Sequence, residues 1–247
     1  MEKHEKYYLA NQKYSDFLNA QDLSSFKKYV DKIISYTKTD SNILDVGCGT
    51  GIVLDLIRRQ AKRDVNGIEI SKTSLQVCKE KRLKCKWYDG KTIPFQDNFF
   101  QLVGSFNVLE HTDNPINFLD EQVRVLDENG YLVIVCPNFL SVTNSYHKNT
   151  RGFFQKIKNV FTLLSKIVNS NFQFKKMIPT ENKNFKPDDD AVNITNPIDI
   201  IRWARSRNLD LVYWSSQQQF GSGLNHFLDF GILRCIFGSC FFVFKKG

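Results

Sequence analysis

"ILDVGCGTGIVLDL", residues 43–56, sets a run of strand-forming residues directly before three glycines at alternate positions, Gly47, Gly49 and Gly51, and resumes with a helical pattern. A strand, a tight turn and a helix start in that order place a ligand at the carboxyl end of the strand, the usual location in open α/β sheets. Glycine there permits positive φ and leaves no Cβ in the path of an approaching molecule. The helix beginning near Gly51 adds the positive end of its dipole.

Outward from this turn, strand and helix signals alternate. "GIVLDLIRRQA" is helical, "DVNGIEI" a second strand, and "SKTSLQVCKEK" a second helix that Ser71 is placed to cap. "LKCKWYD" is a third strand, "FFQLVGSFNV" a fourth, "NPINFLDEQVRVL" a helix opened by Asn114 and Pro115, and "GYLVIVC" a fifth strand. Upstream, Leu23, Phe26, Val30, Ile33 and Ile34 recur at helical spacing. After Cys136 the rhythm breaks over a Phe-, Lys- and Asn-rich segment, and it resumes with a helix over "NPIDIIRWARSRN", a strand "LDLVYW" and a terminal strand "SCFFVFKK". Such alternation implies parallel strands joined by right-handed crossovers and covered by helices on both faces. The expected fold is α/β: a doubly wound, mostly parallel seven-stranded sheet with an insertion after the fifth strand.

The 247 residues suit one domain, 1–247, with a helical lead-in over 1–40 and an insertion over 139–190. With 42% hydrophobic and 24% charged residues the composition is that of a folded globular protein. The charged N-terminus "MEKHEKYYLA" is not a secretory signal, and no apolar run reaches the roughly 18 to 20 residues of a membrane span, so a cytoplasmic location is expected. Cys48, Cys78, Cys85, Cys136, Cys235 and Cys240 form no C-x-x-C pair and have no His at zinc-ligand spacing, so buried reduced thiols and no metal are expected. The net charge is +8, and no acidic residue lies between Glu128 and Glu181, where Lys148, Arg151, Lys156, Lys158, Lys166, Lys175 and Lys176 fall.

Spacing separates two ligand classes. A dinucleotide turn needs G-x-G-x-x-G/A, and position 52 is Ile52. This turn is instead D-x-G-x-G-x-G, with Asp45 ahead of the first glycine. A carboxylate there repels a pyrophosphate and suits an ammonium group or a sugar hydroxyl. Glu69, at the end of the second strand, can accept hydrogen bonds from both hydroxyls of a ribose.

"LDVGCGTG", "GIEIS" (67–71), "DG" (89–90), "FNVLEH" (106–111) and "RVLDENGYLVIVCPN" (124–138) together resemble successive motifs of class I S-adenosylmethionine-dependent methyltransferases, in particular the branch containing the quinone-biosynthesis O-methyltransferases. The resemblance covers about residues 40–138 and implies S-adenosyl-L-methionine as cofactor. It would be bound by Asp45, Gly47, Cys48, Gly49 and Gly51 of the turn and by Glu69 and Ile70. Asp89 and Gly90 would lie at the adenine, Asn107 and Val108 at the methionine end. One departure is Gln101, where the family usually has Asp.

A sulfonium activates its own methyl group, so the enzyme mainly holds an acceptor in line with it. A hydroxyl acceptor must also lose a proton, and His111 is the candidate base, with a structural role for its ring as the alternative. His147 and His226 belong to no defensible motif, and Asp188, Asp189 and Asp190 read as a solvated turn. The expected function is methyl transfer to an oxygen of a small-molecule, glycan or lipid-linked acceptor. Alternatives are N-methylation of an aminosugar or other small amine, and a non-catalytic S-adenosylmethionine-binding protein. The composition argues against nucleic acid: the basic residues sit among large apolar side chains, and no N/D-P-P-Y/F tetrapeptide follows the fourth strand. Phe153, Phe154, Ile157, Val160, Phe161, Leu164, Ile167 and Val168 form one stripe of a basic helix over 151–168, which packs inward, meets an anionic membrane surface, or caps the active site as a lid over an amphiphilic or glycan-type acceptor.

Overall fold

The structure, a computed structural model, describes residues 24–62, 65–143, 152–169, 172–179, 190–216, 231 and 233–247. Helix α1 (Ser24–Ser35) leads into β1 (Ile43–Val46), followed by α2 (Ile52–Ala61), β2 (Asn66–Glu69), α3 (Lys72–Glu80), β3 (Lys84–Trp87), β4 (Phe100–Phe106), a 3-10 turn (Leu109–His111), α4 (Pro115–Val125) and β5 (Leu126–Cys136). Then come α5 (Phe153–Val168), β6 (Lys175–Lys176), β7 (Asn193–Ile194), α6 (Pro197–Ser206), β8 (Leu209–Ser215), the short α7 (Leu233–Ile236) and β9 (Cys240–Lys246). Seven strands form one sheet in the order β3-β2-β1-β4-β5-β9-β8, flanked by helices, and β6 and β7 form a separate antiparallel pair. The doubly wound α/β class expected from the alternation is the one observed.

The reversal of strand order falls at β1, which pairs in parallel with β2 on one side and β4 on the other. All four β1 residues are buried, as a strand covered on both faces requires. Asp45 lies opposite Gly67 on β2 and Gly104 on β4. A Cβ on Gly67 would come within 2.8 Å of the Cys48 thiol, and one on Gly104 within 2.9 Å of the Phe106 ring. These glycines therefore make room for Cys48 and Phe106 beside the carboxylate.

Chain contacts group into two compact units, Met1–Phe106 with Ile116–Val133 and Lys246, and Asn107–Pro115 with Ile134–Lys245 and Gly247. In the first, Val30 and Ile33 of α1 and Leu54 and Ile57 of α2 are buried in the core. Ser71 caps α3 by accepting the Ser74 N–H, as its position in the sequence implies. Gln101 accepts from the Asn42 N–H at 2.8 Å and donates to Asp127 at 3.0 Å. An aspartate could accept but not donate, so the amide suits a neighbour that is itself acidic. β5 starts four residues before its expected first residue, Gly130, because the chain passes directly from α4 into the strand, with Asn129 in the left-handed region.

In the second unit, Asn196 caps α6 through the Asp199 N–H, with Pro197 at the first helical position. Leu163 of α5 packs with Leu140, Ile198 and Cys235. The remainder of α5 is inverted relative to a core helix. Its inward side carries Asn159, which donates to the Phe139 carbonyl at 3.2 Å, and Lys166, paired at 2.6 Å with the fully buried Asp199. The apolar stripe faces outward: Phe153, Phe154, Ile157, Phe161, Leu164, Ile167 and Val168 are all exposed, Phe154 to 84%. The inward-packing version of the stripe is therefore corrected; polar side chains hold this helix down. Arg151 lies outside the described residues, as do Leu23, Lys148, His147, His226, Asp188 and Asp189.

Arg124 fastens the segment between β3 and β4 to α4. It donates to the carbonyls of Ile93 (2.8 Å) and Phe95 (2.9 Å) and to Glu121 and Asp97. Arg124→Ala removes every one of these donors, and hydrogen bonds involving a charged group contribute about 1.5–3 kcal/mol, discounted here for partial exposure. Chemical denaturation should show a loss of about 2 kcal/mol, with Arg124→Lys recovering part of it.

Candidate functional site

Gly47, Gly49 and Gly51 all adopt positive φ, at 76°, 52° and 78°. Their amides turn inward. The N–H groups of Gly47 and Cys48 donate to the Ile68 carbonyl at 2.8 and 3.1 Å, that of Gly49 to Glu69 Oε2 at 2.9 Å, and that of Gly51 to the Cys48 carbonyl at 2.9 Å. A phosphate-binding turn aims such groups at its ligand; this one commits them to the protein. The turn thus offers little to a pyrophosphate.

What it offers is carboxylate. Asp45 is buried, and its Oδ1 finds no hydrogen-bond partner among the described residues. Burial pushes its pKa well above the usual carboxylate range, with Cys78 and Glu69 adding to the effect. Glu69 is raised by burial as well, against the N–H donors of Ser71, Gly49 and Ile70 that favour its charge. Glu69 Oε1 accepts the Ser71 N–H at 2.8 Å and Oε2 the Gly49 N–H at 2.9 Å, and the two oxygens together retain acceptor capacity for a hydroxyl. Two buried acids of this kind favour a ligand carrying hydroxyl donors and positive charge. S-adenosylmethionine, with its ribose, ammonium and sulfonium, fits that donor set.

Ile70 follows Glu69 and is half-buried, and its carbonyl accepts from the Trp87 indole N–H at 3.1 Å. Gly90 has φ 78°, and a Cβ there would meet only the Ile70 Cγ2 at 3.5 Å. Asp89 uses Oδ1 to accept the N–H groups of Lys91 and Thr92, both at 2.9 Å, and these donations hold its carboxyl below the usual range. One oxygen of Asp89 thus shapes the turn. The half-exposed Trp87, which the sequence singled out for no role, adds an aromatic face next to Ile70.

In the second unit, Asn107 takes the left-handed conformation at φ 55°, and its N–H goes to the Val135 carbonyl at 2.8 Å. Its exposed side-chain amide is therefore the group it presents outward. Val108 opens the 3-10 turn that carries Glu110 and His111. Asn193 braces this turn by donating to the carbonyls of Leu109 and Thr112, at 3.1 and 2.6 Å. His111 Nδ1 lies 3.5 Å from Asp190 Oδ1, and its Nε2 lies 3.7 Å from Glu110 Oε1. Glu110 is completely buried. Asp190 is buried too, which corrects the expectation of a solvated turn, and burial raises its pKa to about 7. Its approach to His111 leaves no trace in the sequence beyond a short acidic run.

A second gathering also escaped the spacing: Cys48, Cys78 and Cys85 bring their sulfurs within 4.8 Å of one another. The Cys48 side chain accordingly points into this cluster, so only its backbone lies in the glycine turn. Cys78 is pulled down to about 4, chiefly by hydrogen bonds from the thiols of Cys48 and Cys85, with the charge of Lys81 adding to the effect.

Comparison with known proteins matches residues 44–134 to a family described as a methyltransferase domain. An uncharacterized methyltransferase of Schizosaccharomyces pombe is 32% identical over 123 residues, 44% of each chain. A probable S-adenosylmethionine-dependent methyltransferase of Mycobacterium tuberculosis is 26% identical over 136 residues, 54% of this chain and 49% of that one. The chain thus spans just under half the length of these curated relatives. The solved structure of an S-adenosylmethionine-dependent methyltransferase from Mesorhizobium loti shares the fold at 9% identity, with a TM-score of 0.62 over 91% of this chain and 100% of that one. Residues 44–134, strand, glycine turn and switch point included, are thus similar to a methyltransferase domain and to relatives named as S-adenosylmethionine-dependent methyltransferases.

Proposed function

We propose that the chain is an enzyme that transfers a methyl group from S-adenosylmethionine to an oxygen of a small-molecule, glycan or lipid-linked acceptor. The observation that carries the reading is the buried pair Asp45 and Glu69 beside a turn whose amides face inward. In this reading Asp45 answers the positive charge of the cofactor, Glu69 holds its ribose hydroxyls, Gly90 lets the backbone pass its adenine, and Asn107 and Val108 attend its methionine end. The cofactor supplies an activated methyl group; the protein binds, orients and handles the proton. The segment 139–190 shapes the acceptor site, and the inner side of α5 bounds a cavity of about 220 Å³ lined by Phe139, Asn159, Lys166, Met177 and Asp199.

Oxygen as the methylated atom, as in the quinone-biosynthesis branch, rests on His111. Asp190 faces one ring nitrogen at 3.5 Å and Glu110 the other at 3.7 Å. A neighbouring carboxylate stabilises the imidazolium that forms when the ring takes a hydroxyl proton. A neutral amine acceptor would need this base less.

The outward stripe of α5 favours contact with an anionic lipid surface. Around the helix, at 100° per residue, Lys156 and Lys158 border the stripe on opposite sides, where their ammonium groups reach lipid headgroups while Phe154, Phe161 and Leu164 enter the interface. No helix among the described residues is long and apolar enough to cross a membrane.

Four outcomes follow from this reading. Glu69→Ala should weaken S-adenosylmethionine binding at least about tenfold by calorimetry, through loss of charge-assisted hydrogen bonds; NAD binding without S-adenosylmethionine binding would reject the reading. His111→Ala should lower turnover by about 10² while cofactor affinity stays within a few-fold. Asp190 gives that pair a separate signature in stability. It keeps its proton up to about pH 7 in the folded state and loses it near about 4 when unfolded, so the folded chain binds more protons between these values and stability falls as pH rises through the window. Asp190→Asn should flatten that fall in denaturation profiles. Finally, anionic vesicles at low salt should carry the protein upward in flotation, salt should reverse this, and Phe154→Glu should abolish it.

A further inference from the structure

We propose that Cys48, Cys78 and Cys85, with the carbonyl oxygen of Gly49, form a structural binding site for a divalent d10 cation, zinc foremost. The three residues come from different elements: Cys48 from the glycine turn, Cys78 from α3 and Cys85 from β3. Their sulfurs lie within 4.8 Å of one another, with Cys48 and Cys85 at 3.8 Å. The Gly49 carbonyl is 3.3 Å from the Cys78 sulfur and 3.9 Å from the Cys48 sulfur. A tetrahedral ion with bonds of about 2.3 Å to sulfur and about 2.1 Å to oxygen sets its sulfurs about 3.8 Å apart and its sulfurs and oxygen about 3.6 Å apart. The Cys48–Cys85 separation equals the first value, the other sulfur pairs come within about 1 Å of it, and the two sulfur–oxygen distances lie on either side of the second, so side-chain adjustments of that size would admit an ion.

Chemistry narrows the ion. Three sulfurs disfavour magnesium and calcium, which take oxygen ligands. A monovalent cation would leave two negative charges near the buried Asp45 and Glu69. A divalent one leaves a single negative charge, and Lys81, whose ammonium is 3.1 Å from the Thr50 carbonyl, supplies its counterpart. On binding, thiol protons leave to the buffer and the ion replaces the weak S–H donations to the Gly49 carbonyl and between Cys48 and Cys85; no electron moves. Four protein ligands close the coordination shell, which makes the site structural and not catalytic. Its consequence lies in the turn. Glu69 already holds the Gly49 N–H, and the ion would hold the carbonyl of the same residue, fixing that peptide from both ends. The inference does not depend on methyl transfer.

The test uses the full chain, reduced and kept without oxygen, titrated with Co(II) as a spectroscopic stand-in and then with Zn(II). The expected result is a thiolate-to-cobalt charge-transfer band and tetrahedral ligand-field bands that saturate at one ion per chain and vanish as Zn(II) displaces it. Cys78→Ser and Cys85→Ser should each weaken binding by more than about 100-fold, beyond what loss of an outer-shell partner does. Cys235→Ser, in the Leu163 cluster, should leave it unchanged. Zn(II) should raise the melting temperature of the parent chain and not that of Cys85→Ala, a half-buried position chosen so that at least one ligand variant folds. Absence of a thiolate band, or a band that survives both Cys78→Ser and Cys85→Ser, would overturn the site.

Discussion

The hydrogen bond from the Gly49 N–H to Glu69, 2.9 Å long and buried, joins the end of β2 to the turn after β1 and fixes the geometry of the site in the first unit. It demands a glycine backbone at positive φ on one side and a carboxylate kept from water on the other. Burial of Glu69 is tolerable because the Ser71 N–H satisfies its other oxygen, and Ser71 then turns its hydroxyl to cap α3. One carboxylate thus sets the turn, the strand end and the start of the next helix. Asp45 has no such compensation, and its orphaned oxygen marks where an external donor is wanted.

A comparable trade governs the second unit. A helix normally buries its apolar stripe, and α5 does the reverse. Its attachment rests on Leu163, on the Asn159 amide and on the Lys166–Asp199 pair, whose aspartate also accepts from the Asn196 amide at 2.7 Å. A buried ion pair is costly to desolvate, but it fixes one orientation, since rotating the helix would strand Asp199 without its cation. The orientation that satisfies charge is therefore the one that leaves Phe153, Phe154 and Phe161 outward.

Much of the fold was legible because its signals are local. β1 is buried throughout and shows as an apolar run broken only by Asp45, and the caps of α3 and α6 lie within three residues of the N–H groups they hold. The glycine turn, Asp45 and Glu69 were legible for the same reason. Periodicity marked α5 as a helix but could not say which face is covered, because a stripe has the same spacing whether it meets a core or a solvent. The approach of Asp190 to His111 and the Cys48, Cys78 and Cys85 cluster were not legible: they join residues far apart in the chain, each with an ordinary neighbourhood. Gln101 shows the intermediate case, a visible departure whose reason, donation to Asp127, appears only once β4 and β5 are side by side.

Charge supplies the last step. With its amides turned inward and beneath it two acids whose charge burial disfavours until a cation arrives, the glycine turn is poised for positive charge where dinucleotide-binding turns are poised for negative. On the methyl-transfer reading this sign has a kinetic use. The donor carries a sulfonium, and its product carries a neutral thioether in the same place. A unit charge interacts with another by about 1 kcal/mol at 4 Å in water and about 4 kcal/mol at the effective dielectric of a protein surface, so losing one of two cationic groups weakens retention by a share of that energy. A site with buried carboxylates thereby favours the charged donor over its neutralised product. A positively lined turn would do the opposite and hold the product back.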